Sequence, residues 1–540
     1  MTGIRALTDF ARSVRVIYGA GLVPVRRLDN GVRTLRATHT YGPFVGAMHN
    51  ALLRGPDRIA LIDEDGPLTY AGLDRHSNAL ARAWASCGLG SESTVAALCR
   101  DHRGLVVSML AAGKIGARLV LLNTGFAGPQ LAGVVSRERV NAVVYDAEFQ
   151  TVLAALPDSV SRYLAWEDDG DPVDSAIPRL KDLIAEHPCG RVKPPRSPGG
   201  FVLLTSGTTG TPKGAPRNHT SVLASAQFLD RIPLREGGTT YMAAPIFHGT
   251  GLSQFVLSLA LGCTVIMDRR FDAARAVAQV ARYRADTLIL VPTMLQRIVD
   301  LGPAVLAKHD TSTLRIIFAA GSALSPDLCR RTAQAFGDVL YNLYGSTEVA
   351  VATVATPAEL RSAPGTAGRP PVACRVALYD TDGQAITKPN ATGRIFVKSG
   401  LSFTGYTDGR RKEVIDGMLS SGDVGHFDDN GLLFVDGRED DMIVSGGENV
   451  YPLEVENLLA DHDDVLDAAV IGVPDSEFGH RLRAFVVRAP GATVDTEVIT
   501  DYVKGNLARY KAPREVIFID ELPRNATGKV LRRELEAWKR

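Results

Sequence analysis

Short apolar runs alternate with helical stripes along most of the chain. Ala60-Leu61-Ile62 and Leu68-Thr69-Tyr70 flank an Asp65-Gly66-Pro67 turn and predict two short strands. A helical stripe over 73–85 follows, then a strand at Thr94–Leu98, a helix over 103–116 and a strand at 118–122. Phe201–Leu204, Leu288–Val291 and Leu314–Phe318 are further buried-strand runs, the last two running into site-like loops at Pro292-Thr293 and Ala320-Gly321-Ser322-Ala323. Strands and helices alternating at this spacing predict parallel α/β layers. Strand pairs around Asp382-Gly383 and Gly393-Arg394 predict a small antiparallel unit. Residues 441–540 read β-α-β-β-α-β, with Val455, Leu458 and Leu459 on one helical face and strands at Val465–Ile471 and Leu482–Val487. The expected fold class is α/β: a large part of several subdomains and a small, mobile α+β C-terminal domain.

Residues 4–18 carry an apolar stripe of Ile4, Leu7, Ala11, Val14 and Tyr18, edged by Phe10 and Ile17, with Arg5, Arg12 and Arg15 on the other side. No apolar core follows the charges, so this is not a signal peptide. A helix packed on the body is preferred over one lying on an anionic membrane. Asp29-Asn30-Gly31 reads as a turn. Residues 165–198 read as a surface excursion. The most apolar region, Leu105–Leu122, is broken by Lys114 and Arg118, so no membrane span is expected. With 60 basic and 60 acidic residues the chain lacks the basic excess of a general nucleic-acid binder. Its six scattered cysteines form no C-x-x-C pair, which fits a reducing, cytoplasmic setting without a zinc site.

Candidate chemistry lies in three strings. Thr205-Ser206-Gly207-Thr208-Thr209-Gly210-Thr211-Pro212-Lys213-Gly214 leaves the Phe201–Leu204 run. Its glycines allow close backbone approach, and its hydroxyls and lysine suit a chain of phosphates. It is not a Walker loop, because Pro212 stands where that pattern needs glycine. A flexible linker is the plain alternative, and the ordered Pro212-Lys213-Gly214 argues against it. A helix over about 219–230 is expected next, its N-terminus lending positive charge to the loop. The second string is Tyr341-Asn342-Leu343-Tyr344-Gly345-Ser346-Thr347-Glu348. Tyr344 offers a flat face for a purine, Thr347 a hydroxyl for the α-phosphate, and Glu348 a hard oxygen ligand for Mg²⁺. Alone it would read as a strand end with an exposed acid. The third is Pro523-Arg524-Asn525-Ala526-Thr527-Gly528-Lys529-Val530-Leu531-Arg532, in which Lys529 by itself is a lysine in a turn.

Together, in this order, the three strings resemble the adenylate-forming superfamily of acyl- and aryl-CoA synthetases, luciferases and peptide-synthetase adenylation domains. The resemblance covers roughly residues 45–540 and is closest to a bacterial fatty acyl-CoA synthetase. It implies ATP-dependent activation of a carboxylate to an acyl-adenylate, with Mg²⁺, then transfer to CoA. It places Thr205, Ser206, Gly207, Thr208, Thr209, Gly210 and Lys213 on phosphates. Gly321, Ser322 and Ala323 would lie against adenine and border the acyl tunnel, with Asn342, Tyr344, Gly345 and Thr347 also at the nucleotide. Asp423 would hold the ribose hydroxyls, and Arg438 would contact the nucleotide. His248, after Phe247, would stand beside the substrate carboxylate as a gate. The catalytic set is Lys529, His248, Thr347 and Glu348, with Glu348 on the metal and Lys529 bridging acyl oxygen and α-phosphate.

The resemblance also implies a division at 1–40 (extension with an amphipathic helix), 41–438 (large domain), 439–440 (hinge, at Asp440) and 441–540 (small domain). Ser445, Gly446, Gly447 and Glu448 would line the CoA tunnel. Gly249, Thr250 and Gly251 leave room beside His248 and favour a medium- or long-chain fatty acid over an aryl or amino acid. Ser421 for the usual threonine, Met418-Leu419 for aromatics and His480 for a glutamate are departures. An acyl-AMP ligase serving a carrier protein is the main alternative, although residues 263–290 show no extra segment of the kind those relatives carry. A luciferase-like oxygenase and a non-catalytic lipid-binding protein stand further back.

Overall fold

Strands that are apolar on both faces need cover on both sides, and the fold supplies it with helices. The computed structural model describes residues 2–23, 28–171, 173–205, 213–217, 222–403, 405–407, 409–445, 448–475, 479–525 and 528–538. Ser161–Trp166, Ala142–Asp146, Thr94–Leu98, Arg118–Leu121 and Phe201–Thr205 pair in that order, all parallel. A second sheet runs Ala350–Ala355, Leu340–Ser346, Ile316–Ala320, Thr287–Leu290, Thr239–Met242, Thr264–Met267, Ile59–Asp63, Gly66–Thr69. Its outermost pairs are antiparallel and its interior pairs parallel. One core joins the two sheets: Val95, Leu119 and Leu203 from the first and Leu61, Val265, Ile289 and Phe318 from the second meet Phe44, Met48, Leu105 and Met109 of intervening helices.

A smaller antiparallel sheet is built from Arg375–Tyr379, Ala385–Ile386, Gly393–Lys398, Val414–Ile415, Met418–Phe427 and Leu433–Arg438. The C-terminal domain holds a five-stranded sheet with helices Pro452–Ala460, Thr496–Asn506 and Arg532–Glu536. Its first strand is in fact a hairpin, Ile443–Ser445 paired with Glu448–Val450, and a helix follows its last strand.

Three expectations are corrected. The chain does not pass from the phosphate loop into a helix over 219–230. Lys213–Arg217 turns back as a strand on Phe201–Thr205, at the sheet's open edge, where Pro216 costs no ladder bond. Among the described residues, only a 3₁₀ turn, Val222–Ser225, and one helical turn, Ala226–Leu229, stand where the helix is expected. Pro292-Thr293 is not a loop but the start of helix Pro292–Val299, with Pro292 where a missing N–H costs nothing. Asp29-Asn30-Gly31 is not a turn either. It lies inside a helix, with Asp29 in the favourable first turn.

The N-terminus thus forms three helices: α1 (Thr2–Gly19), α2 (Leu28–Tyr41) and α3 (Pro43–Arg54). The end of α1 is fastened to the body. The Ala20 carbonyl accepts from the Glu236 N–H, and the Leu22 carbonyl accepts from Asn50 Nδ2 at 2.9 Å and Arg54 Nη2 at 2.6 Å. Ser13 and Ile17 of α1 and Leu22 after it are buried, so the helix does pack on the body, but not by the expected stripe, of which Leu7, Ala11 and Tyr18 are exposed.

Candidate active site

In open parallel sheets, ligands collect beyond the carboxyl ends of the strands. Four adjacent parallel strands of the large sheet end at one cavity of about 2160 Å³. Thr239–Met242 delivers Ala244, Pro245 and His248, and Thr287–Leu290 delivers Val291 to Thr293. Ile316–Ala320 delivers Gly321 to Ala323, and Leu340–Ser346 delivers Asn342 to Glu348; all of them line it. Asp423 and Arg438, paired across the small antiparallel sheet, and Gly528 and Lys529 from the C-terminal domain complete the wall.

Each polar group there has a definite setting. Asp423 accepts from the Tyr344 hydroxyl at 2.5 Å and from Arg438 Nη1 at 3.4 Å. Burial raises the Asp423 pKa, with Arg438 and the Tyr344 bond working against it. Arg438 also pairs with Asp440 at 2.9 Å. Glu348 accepts from the Tyr406 hydroxyl at 2.6 Å and from Ser346 Oγ at 2.9 Å. Burial pushes its pKa up, but these two bonds outweigh it and hold the carboxylate ionised. Gly345 must be glycine, since a Cβ there would sit 1.8 Å from the Ala350 carbonyl oxygen.

His248 precedes the helix Gly249–Ala260 and packs against Phe247 with ring centroids 4.4 Å apart. Burial and the nearby Lys529 charge lower its pKa to about 3, so the imidazole is neutral. Its Nε2 and the Ser322 hydroxyl are buried without a hydrogen-bond partner among the described residues, although both residues line the cavity. Buried polar atoms without partners are uncommon, and two around one cavity mark where a ligand supplies the bonds.

Lys529 sits on a cross-braced turn. Its N–H donates to Asn525 Oδ1 at 3.0 Å, the Asn525 N–H donates to its carbonyl, and Arg524 pairs with Asp467 at 2.7 Å. Gly528, at φ 75°, lies so close to Thr293 of the large domain that a Cβ would fall 2.0 Å from the threonine hydroxyl. The ammonium is open to the cavity yet surrounded by protein. That enclosure, with Arg438, lowers its pKa against the pull of Asp423 and Glu348.

Ser445 and Glu448 do not line this cavity. Ser206, Gly207, Thr208, Thr209, Gly210, Gly446 and Gly447 lie outside the described residues, as do the side chains of Thr205 and Lys213, whose backbones pair across the base of the loop. His480 is exposed in the strand Gly479–Arg488. Three groups escaped sequence reasoning. Tyr406 braces Glu348 from 58 residues away. Lys412 lines the cavity, its Nζ donating to the Ser421 carbonyl at 3.4 Å. Asp101 is buried with both carboxylate oxygens on the Ile246 N–H, at 3.1 and 3.2 Å, two residues before His248. No sequence signal marks any of the three.

A second polar cluster, Cys99, His102 and Asp146, is fully buried. His102 Nδ1 accepts from the Gly104 N–H at 3.0 Å and its Nε2 meets Asp146 at 2.8 Å. Both ring nitrogens are used, so the cluster is a structural brace rather than a metal site.

Beyond His248 the cavity becomes apolar. One face of Gly249–Ala260 (Ser253, Val256, Leu257, Ala260) lines it opposite Phe44 and Ala47 of α3, Val14 and Ile17 of α1, and Thr34 and Leu35 of α2. It therefore has two arms, a charged one beneath Lys529 and an apolar one among helices.

Comparison with known proteins agrees with this geometry. Residues 48–407 match the AMP-binding enzyme family, and residues 454–529 match the AMP-binding enzyme C-terminal domain. An indoleacetate–CoA ligase of Aromatoleum aromaticum is 32% identical over 88% of this chain and 94% of its own. A fatty acid–[acyl-carrier-protein] ligase, ScoC, of Streptomyces coeruleorubidus is 31% identical over 89% and 93%. The o-succinylbenzoate CoA synthetase MenE of Bacillus subtilis, solved with its acyl-adenylate intermediate, superposes with a TM-score of 0.78 at 26% identity, covering 92% of this chain and 98% of that one. A match over residues 48–407, more than half of the chain, with the C-terminal domain matched in its place behind it, means that this chain belongs to the AMP-binding enzyme family.

Proposed function

We propose that the protein joins a medium- or long-chain fatty acid to AMP, releasing pyrophosphate, and then passes the acyl group to CoA, releasing AMP. The observation that carries this reading is the continuity of the cavity, which runs from Tyr344, Asp423 and Lys529 past His248 into an apolar arm lined by four helices. Pockets for one small ligand span about 300–1,000 Å³. A cavity of about 2160 Å³ has room for a nucleotide and an alkyl chain together.

In the first step a carboxylate oxygen attacks the α-phosphorus and the bond to pyrophosphate breaks. Two anions must approach, so positioned cations and donors carry most of the work. Lys529 stands between the two arms and serves both the acyl oxygen and the α-phosphate. Asp423, fixed by Tyr344 and Arg438, offers its remaining lone pairs to the ribose. Thr347 faces the α-phosphate. His248, neutral and with a free Nε2, orients the carboxylate without adding charge. The carboxylate is already ionised near neutrality, so no general base is required. Glu348 fits Mg²⁺: it is ionised, and a carboxylate that accepts from Tyr406 and Ser346 keeps lone pairs for a hard cation. A bound Mg²⁺ would supply neutralisation of phosphate charge.

In the second step the CoA thiol attacks the acyl carbon and AMP leaves. Lys529 occupies the cleft while Ser445 and Glu448 stand outside it, the arrangement suited to the first step. A swing of the small domain at Asp440, held here by Arg438, would exchange the two elements. Between the strands Thr264–Met267 and Thr287–Leu290 lies a single helix, Ala273–Arg282, which supports CoA rather than a carrier protein as acceptor.

The test is a mass-spectrometric product assay with ATP, Mg²⁺, CoA and an equimolar panel of acids from acetate to oleate plus benzoate and indoleacetate. Acyl-CoA from the longer alkyl acids is expected. Aryl-CoA as main product would overturn the substrate class, and acyl-adenylate without acyl-CoA would move the acceptor to a carrier protein.

A further inference from the structure

The apolar arm does not end inside the protein. Tyr18 of α1, Leu35 of α2 and Leu223 line the cavity and are also exposed, so the arm opens to the surface between the N-terminal helices and the Val222–Ser225 turn. The rim of that opening is unusual for a protein surface. Leu7 is 71% exposed, Phe10 55%, Val32 66% and Leu35 56%. Six of the thirteen exposed large hydrophobic side chains of the described residues lie on α1, α2 or that turn. Large apolar side chains left exposed on the helices that flank an opening mark a binding surface.

The charge around it is one-sided. Residues 1–41 hold seven arginines against two aspartates, in a chain whose 60 basic and 60 acidic residues balance overall. Arg12 and Arg15 on α1 and Arg33 and Arg36 on α2 are exposed beside the apolar residues. Exposed leucine and phenylalanine flanked by arginines are the pairing that lets a helix lie in the headgroup region of an anionic bilayer. No described helix is long and apolar enough to cross a membrane, so such contact would be with one leaflet.

Resting on the fatty-acid reading above, we propose that α1 and α2 seat the protein on an anionic lipid surface with the mouth of the apolar arm against it. A fatty acid dissolved in the leaflet then slides tail-last between α1 and α2, its carboxylate leading toward His248 and Lys529, without crossing water. The anchorage of α1 at Leu22 and Ala20 keeps the mouth aligned with the arm.

The experiment is flotation of the full chain with vesicles of neutral phosphatidylcholine or of phosphatidylcholine mixed with phosphatidylglycerol. Binding to the anionic vesicles and release at about 1 M salt, where charges are screened beyond about 3 Å, are expected. Arg12→Gln and Arg33→Gln should each weaken binding about fivefold, the effect of one basic residue at an anionic surface. Leu7→Ser with Phe10→Ser should weaken binding to anionic vesicles without changing the salt response. These side chains lie outside the nucleotide arm, so adenylation of butyrate presented in water should be unchanged, while turnover of vesicle-borne oleate falls in step with binding. Equal binding to neutral vesicles, or none to either, would overturn the proposal, as would a dimer that covers α1 and α2, or capture of an acidic carrier protein in place of vesicles. Vesicle binding that survives while no alkyl acid is turned over would instead sink the fatty-acid reading and leave the membrane surface standing.

Discussion

The two arms of the cavity are built on opposite principles. The nucleotide arm is made of strand ends and turns, and its side chains are tied in pairs: Tyr344 to Asp423, Asp423 to Arg438, Arg438 to Asp440, Tyr406 to Glu348. The acyl arm is made of helix faces, and its polar bonds, such as those of Asn50 to the Leu22 and Ala260 carbonyls, hold helices and chain ends together rather than charged groups. Charge chemistry needs groups at fixed distances, so its residues are few, specific in type and cross-braced. Alkyl recognition needs only apolar area at about 25 cal/mol per Å² and tolerates exchange of one aliphatic residue for another. A substitution in the first arm should therefore change rate, and one in the second should change substrate.

The largest effect should follow from Lys529→Ala. Losing one positioned donor at a developing charge costs about 10²–10³ in rate. Pyrophosphate exchange should fall by that factor, while thioester formation from supplied acyl-adenylate is spared. Equal loss in both half-reactions would mean that Lys529 is not confined to the first arm's chemistry. Val256→Trp tests the other arm. Val256 faces the cavity from Gly249–Ala260, and a tryptophan there shortens the space beyond His248. Turnover of oleate should fall about 10–200-fold relative to butyrate, the scale of pocket misfit. A uniform loss for all chain lengths would place Val256 outside the acyl path. Tyr406→Phe is milder. It removes the 2.6 Å bond to Glu348 and leaves the ring against Phe403. One hydrogen bond of about 0.5–1.5 kcal/mol predicts a loss of about 3–10-fold, read as a higher Mg²⁺ requirement rather than a changed preference among acids.

The same contrast explains what could be read from the chain. Tyr344, Thr347, Glu348, Asp423 and Lys529 are marked out by type and spacing, and the fold brings all five to one cavity. The parallel layers are legible because doubly buried strands are unbroken apolar runs, as at Thr94–Leu98. Tyr406 and Lys412 are not legible, because only the folding of the antiparallel sheet brings them to Glu348 and Asp423. The strand Lys213–Arg217 was hidden by Pro216, a breaker anywhere but at an edge. Helix α2 was hidden by Asp29-Asn30-Gly31, whose turn-forming types the surrounding apolar contacts override. Residues 4–18 carry two readings: Ser13 and Ile17 pack inward, which is the helix on the body, while Leu7 and Phe10 face out, the side on which the proposed lipid contact rests. The depth of the acyl arm has no motif at all, since it is set where three N-terminal helices meet Gly249–Ala260, far along the chain.

Asp101 joins the arms, and its variant should have the smallest effect. It follows the strand Thr94–Leu98 and holds the Ile246 N–H, which sets the backbone from which His248 enters the cavity. Burial raises its pKa to about 7, with the Ile246 bond, His102 and Arg100 pulling down and Asp146 pushing up. A folded-state pKa above the ordinary carboxylate value means that the native protein keeps a proton the unfolded chain has released. The stability this confers is complete below the ordinary value near 4 and is lost as pH rises toward 7. Asp101→Asn cannot titrate, and its amide oxygen can still accept from Ile246. The stability of wild type relative to the variant should therefore fall with pH between about 4 and 7, by at most about 1 kcal/mol per pH unit, and level off above. Urea-unfolding midpoints across that range measure it. Parallel curves would mean that Asp101 stays ionised throughout, its charge held by Arg100 and His102. In that case the junction between the arms is a fixed ion, and the pH response of the enzyme must come from elsewhere.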